Sequence, residues 1–225
     1  MYRYGRAFPQ WTLLEKVVIA LAGIGWLYVF LYDSPTIALF YSGLFVFSIV
    51  IRGIAGMPMW ISGKEPLKTL AYGLACLATL LITNSIIYSY TGSYSLPLST
   101  SSTTAVLIET QIFAPLIRSI FIAVAEEETF RGIVLDFVKE TPTKADEYFV
   151  LVSVSGVGFS LAHAKAWYGS TTITGVFTAV AQNPAPFLVG VTGGIILGLI
   201  ALKARNLAPS IVAHAIYDFL AFAGR

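Results

Sequence analysis

Charge is scarce in this chain. Asp, Glu, Lys and Arg together make up 12% of its 225 residues against 56% hydrophobic, and the mean hydropathy is +0.77. So few polar groups cannot coat a water-soluble globule of this size, and the medium implied is a bilayer. A net charge of +2 with no basic run excludes an electrostatic footprint for nucleic acid. Cysteine occurs once, at Cys76 within an apolar run, which excludes an intrachain disulfide and points to packing. No small-residue cleavage site closes the first apolar segment, so it reads as a retained span behind Arg3, Arg6 and Lys16. Histidine occurs only twice, at His163 and His214.

What the chain has is apolar runs. Lipid offers the backbone no hydrogen-bond partners, so each run is expected as a helix of about 20 residues. Seven spans are expected, over 13–32, 35–51, 69–88, 113–137, 148–166, 186–202 and 207–223. The expected fold is all-α, a polytopic helical bundle forming one integral membrane domain over 1–225. Within it 1–112 supplies the less diagnostic N-terminal helices and 113–223 a four-helix core. A cytoplasmic N-terminus puts most Lys and Arg, Arg52 and Arg205 among them, on the cytoplasmic side and leaves Lys165 and Arg225 outside. That is the positive-inside asymmetry of a multi-pass protein of the cell membrane. Residues 167–185 are long and moderately apolar for a loop, which suits an interfacial or re-entrant piece. Gly190, Gly194 and Gly198 fall four apart and line one helix face for close packing.

Against this background "VAEEETFRGIVLDF", residues 124–137, sets three consecutive carboxylates and an arginine in the middle of a span. An ionised carboxylate at mid-bilayer costs about 2.5–3.5 kcal/mol on insertion scales unless it faces protein or trapped water. Glu127 and Arg131, four apart, share a face and can neutralise each other. Glu126, rotated by about 100°, lacks that partner and is the candidate for a chemical task. A blander reading ends the span near Ala125 and leaves the glutamates at the headgroups; the apolar "GIVLDFV" that follows and the two histidines speak against it.

A single membrane histidine commonly joins two helices by a hydrogen bond. Here Phe159 stands four before His163, and Asp218 four after His214 on one face. An aspartate one turn away is expected to fix the tautomer of His214 and raise its basicity. A glutamate, two histidines and an aspartate from three helices can polarise one water, or hold one metal ion together with that water.

In order, Glu126-Glu127-x-x-x-Arg131, Phe159-x-x-x-His163 and His214-x-x-x-Asp218 resemble the three-part signature of the CPBP intramembrane proteases, also called the Rce1-like, CAAX-protease or Abi family. The resemblance covers about 113–223. It implies a polytopic membrane endopeptidase with Glu126 as general base and His163 and His214 holding the water or stabilising the oxyanion. Asp218 completes the site, while Glu127, Arg131 and Phe159 support it. It further implies either a metal-free, glutamate-dependent scheme, the preferred one, or a metalloprotease with Zn2+ held by Glu126, His163, His214 and Asp218. The third motif of the family commonly ends in asparagine, whereas an ionised Asp218 can only accept. Asp218 is then either protonated, or the residue that orients His214; a metal gives it a third use.

The implied partners are the lipid bilayer and a membrane-associated peptide or protein substrate, either with a prenylated C-terminal box or of the bacteriocin-like kind, and no nucleic acid. Two other classes remain: a proton-coupled transporter, which usually shows an inverted repeat that this chain lacks, and a non-catalytic scaffold or immunity partner of the same family. Depth counting sets a tension. At about 1.5 Å per residue from the cytoplasmic ends, Glu126 and His163 lie roughly 20–24 Å deep and His214 about 10 Å.

Overall fold

The computed structural model describes residues 35–55, 57, 60–92, 112, 114–132, 134–136, 143–169 and 172–223. The expected span over 13–32 lies outside them. Among the described residues every regular element is a helix. They are α1 (Pro35–Ala55), α2 (Pro66–Thr91), α3 (Ala114–Glu126) running into a π-helical stretch π1 (Glu127–Gly132), then α4 (Lys144–Val150), π2 (Leu151–Gly158) and α5 (Phe159–Tyr168), α6 (Ile173–Gln182), α7 (Ala185–Ala204) and α8 (Ala208–Ala223).

Local chemistry sets the ends. Proline opens α1 and α2, where its missing N–H is no loss. Thr143 caps α4 by accepting from the backbone N–H of Asp146 at 3.2 Å, and Thr172 caps α6 through Gly175 N–H at 3.1 Å. Gly92 stops α2 in the left-handed region, φ 70°. Between α7 and α8, Asn206 Oδ1 accepts from the N–H groups of Ala208 and Ser62, both at 3.0 Å, and its Nδ2 donates to Ser62 O at 3.0 Å. Leu207 N–H donates to Trp60 O at 2.8 Å. The α7–α8 turn is thereby sewn to the α1–α2 connection.

Among the described residues, large apolar side chains are exposed while several polar and charged ones are buried beside the hydrophobic core. Phe47, Ile54 and Leu67 are 61%, 81% and 82% exposed, while Ser48, Arg52, Asn84, Ser119 and three glutamates are buried. Among the described residues, three helical stretches, Pro66–Thr91, Lys144–Ala164 and Ala185–Ala204, are long and apolar enough to cross a membrane. This is a membrane protein, as its composition requires. The ten-residue α6 is too short to span; the Tyr168 hydroxyl ties its far end to α7 by donating to Asn183 O at 2.8 Å and accepting from Phe187 N–H at 3.1 Å.

α8 packs against α2, α3 and α7, and α7 lies along π2. The α7–π2 approach depends on missing side chains. A Cβ on Gly194 would overlap the Ser155 carbonyl, and one on Gly198 would meet Leu151 and Ser155. Ser155 Oγ donates to Gly194 O at 2.6 Å across this contact. Gly194→Ala is therefore expected to cost about 1–3 kcal/mol through overpacking, read as a lowered thermal midpoint in detergent.

One expectation needs correction. The segment 113–137 is not one α-helix, because α3 widens into π1 at Glu127. Each of the three glutamates there is held by a partner on another helix, and an unpaired buried charge costs more than a displaced backbone bond. Arg52, counted from the sequence among the charges of the cytoplasmic side, is 2% exposed and faces Glu128 and Asp136.

Candidate active site

α3 and π1 supply Glu126, Glu127, Glu128 and Arg131, all at most 1% exposed. α5 supplies His163, and α8 supplies His214 and Asp218. The two carboxylate oxygens of Glu126 divide between the two rings: Oε1 lies 3.0 Å from His163 Nε2, and Oε2 lies 3.6 Å from His214 Nε2. Both rings meet the one carboxylate, so Glu126, His163 and His214 stand together, unlike the depths counted along the sequence. Trp60 joins Asp136 through its indole N–H and Leu207 through its carbonyl.

Each ring is oriented at its other nitrogen. His163 Nδ1–H donates to the Phe159 carbonyl at 2.9 Å, one turn back on the same helix. A carbonyl only accepts, so the His163 Nε2 contact with Glu126 needs a proton of its own. The pair holds one proton between an imidazole and a carboxylate. His214 Nδ1–H donates to Glu127 Oε1 at 2.8 Å, which turns Nε2 toward Glu126 and toward Asp218 Oδ2, 3.6 Å away. The orienting carboxylate of His214 is thus Glu127 and not Asp218, as the four-residue spacing suggested. Asp218 borders the same nitrogen beyond direct hydrogen-bond length.

Arg131 Nη1 lies 3.1 Å from Glu127 Oε1, and its guanidinium carbon lies 4.4 Å from the Phe159 ring centroid. This salt bridge and cation–π contact hold a cation that is 0% exposed. The Phe159 ring also stacks obliquely on His163, centroids 4.4 Å apart, and meets His214 edge-on at 5.9 Å. Its carbonyl and its ring thus serve both histidines. Trp167 stacks on the opposite side of His163 at 5.2 Å, seated where a Cβ on Gly190 would collide with it.

A buried carboxylate between two imidazoles from separate helices can take and return a proton away from bulk water. The family comparison decides to which chemistry this belongs. A family model described as type II CAAX prenyl endopeptidase, Rce1-like, matches residues 108–220, half of the chain and all of the groups around Glu126. The chain belongs to the Rce1-like family. No curated protein and no solved structure matches it. At the family level it is a CAAX-type membrane endopeptidase.

Two features go beyond the Rce1-like motif residues. Among the described residues, no group of three or more His, Cys, Asp or Glu side chains is arranged to hold a metal ion. The direct Glu126–His163 bond joins two of the atoms that ligation would need, while the Glu127–His214 bond engages Nδ1 and leaves Nε2 facing Glu126 and Asp218. The second feature escaped sequence reasoning: a buried cluster of Arg52, Glu128, Asp136 and Trp60 behind π1. Its signals were a third glutamate following the motif pair and an arginine inside "SIVIRGIAG".

Proposed function

We propose that the chain is an intramembrane endopeptidase in which Glu126 activates the water that attacks a peptide bond of a prenylated, CAAX-type membrane-associated peptide. The supporting observation is the position of the Glu126 carboxylate, 1% exposed and facing both imidazoles. The 3.6 Å between Glu126 Oε2 and His214 Nε2 is too long for a good hydrogen bond and short enough for one water to reach both. Water placed there gives a proton to Glu126 as its oxygen bonds to the scissile carbonyl carbon. The carbonyl oxygen takes the negative charge and is stabilised by the Nε2–H of His163, while His214 Nε2 holds the attacking water. Collapse breaks the C–N bond, and the proton held by Glu126 passes to the leaving amine. Glu127 keeps His214 in register, Arg131 neutralises Glu127, and Asp218 completes the water site beside Nε2. We assign catalysis to the core over 113–223 and, from the distribution of Lys and Arg, place the N-terminus on the cytoplasmic face of the cell membrane.

The test uses purified full-length protein in detergent with matched farnesylated and unprenylated peptides ending in a Cys-aliphatic-aliphatic-X box, in water enriched in oxygen-18. Mass spectrometry is expected to find cleavage after the modified cysteine, the heavy isotope in the new carboxylate, and the farnesylated peptide preferred. Binding without cleavage would support the scaffold alternative. Loss of activity on chelation, restored by zinc, would show that the ligands move to accept a metal.

A further inference from the structure

Glu128 is as deeply buried as its two neighbours, yet nothing in the proposed chemistry uses it. Its Oε1 pairs with Nε of Arg52, which comes from α1 and is 2% exposed. Arg52 Nη1 donates to Asp136 Oδ2 at 2.7 Å, and Asp136 Oδ1 accepts from Trp60 Nε1–H at 2.6 Å. One guanidinium therefore reaches a carboxylate within π1 and another just past its end. It passes through a slot that exists because residue 132 is glycine, since a Cβ there would overlap Arg52 Nη2. α1 lies outside the matched segment 108–220, so a helix beyond the family match reaches the motif helix from behind.

The two sides of π1 are rigidly related. Glu126 and Glu127, which face the imidazoles, immediately precede Glu128, and a rotation of the turn that moves one carboxylate re-aims the others. We infer that Arg52 is a positioning residue: by bridging Glu128 and Asp136 it locks π1 and fixes the aim of Glu126 and Glu127 at His163 and His214. Without Arg52, Glu128 and Asp136 lose the guanidinium that both engage, and the turn is expected to shift in response. Lysine carries the charge but lacks the planar fork that meets two carboxylates at once.

The kinetic half of this inference rests on the proposed function; the conformational half does not. The experiment compares full-length wild type, Arg52→Gln, Arg52→Lys, Glu128→Gln and the Arg52→Gln/Glu128→Gln pair in detergent. Each is measured for kcat and KM on the farnesylated peptide and for amide hydrogen exchange over residues 127–132. Arg52→Gln is expected to lower kcat by about tenfold or more with KM within about twofold, and to accelerate exchange in 127–132. Arg52→Lys should fall between it and wild type. The double variant should recover part of kcat, because the Glu128 charge is removed together with the guanidinium that met it. Wild-type kcat and exchange in Arg52→Gln would overturn the inference, as would a kcat loss with unchanged exchange or a double variant no better than the single. Should Arg52→Gln not fold, Trp60→Phe removes the N–H to Asp136 together with one ring of the indole and must shift exchange and kcat in the same direction; no shift overturns the clamp. If wild type cleaves nothing, the proposed function fails by itself and the exchange data decide the clamp.

Discussion

Glu126→Gln is expected to lower kcat for cleavage of the farnesylated peptide by about 10²–10⁴-fold, the usual contribution of a general base. Glutamine keeps the volume and one acceptor oxygen, so the contacts with His163 and His214 can persist in neutral form. What it loses is the ability to take a proton from water. Stability is expected to change little, because a buried charge is exchanged for a hydrogen-bonded amide of the same shape. The decisive pair of readings is steady-state kcat beside a thermal unfolding curve. A folded variant with kcat near wild type would remove Glu126 from the chemistry.

The second large effect concerns stability. Arg131 is 0% exposed and neutralises Glu127, which also holds His214. Arg131→Leu leaves that carboxylate buried beside Phe159 without its cation, a change that costs about 3–5 kcal/mol. This is a large fraction of the about 5–15 kcal/mol that holds a typical domain together. The expected result is loss of the monodisperse species in size-exclusion chromatography and a collapsed thermal midpoint. Adding Glu127→Gln should restore much of the stability, since the amide oxygen still accepts from His214 Nδ1–H and no charge is stranded. An unchanged midpoint in Arg131→Leu would mean that Glu127 is neutralised by another group.

Local spacing made part of the site legible. His163 is oriented by the carbonyl of Phe159 four residues back, a relation that any helix provides. Glu127 and Arg131 pair for the same reason. The apolar runs located α2, α7 and α8 because lipid admits only helices there. Partners distant in sequence were not legible. His214 has Asp218 one turn away, yet its Nδ1 bonds to Glu127, 87 positions earlier. Nor does the sequence show that Arg52 meets Asp136, 84 positions later. The π1 turn has no signature of its own in the residue pattern; it lies where three consecutive carboxylates meet partners from α5, α8 and α1. The family motifs brought Glu126, His163 and His214 together as a set, while the clamp behind them required the packed structure.

The most direct measurement is a cryo-electron microscopy structure of the full-length Glu126→Gln variant holding an uncleaved farnesylated peptide. The expected result places the scissile carbonyl beside side chain 126, with a water in hydrogen-bond reach of that side chain and of His214 Nε2, and with both rings turned toward it. A peptide bound elsewhere, or a side chain at 126 turned away from both imidazoles while peptide occupies the bundle, would contradict it.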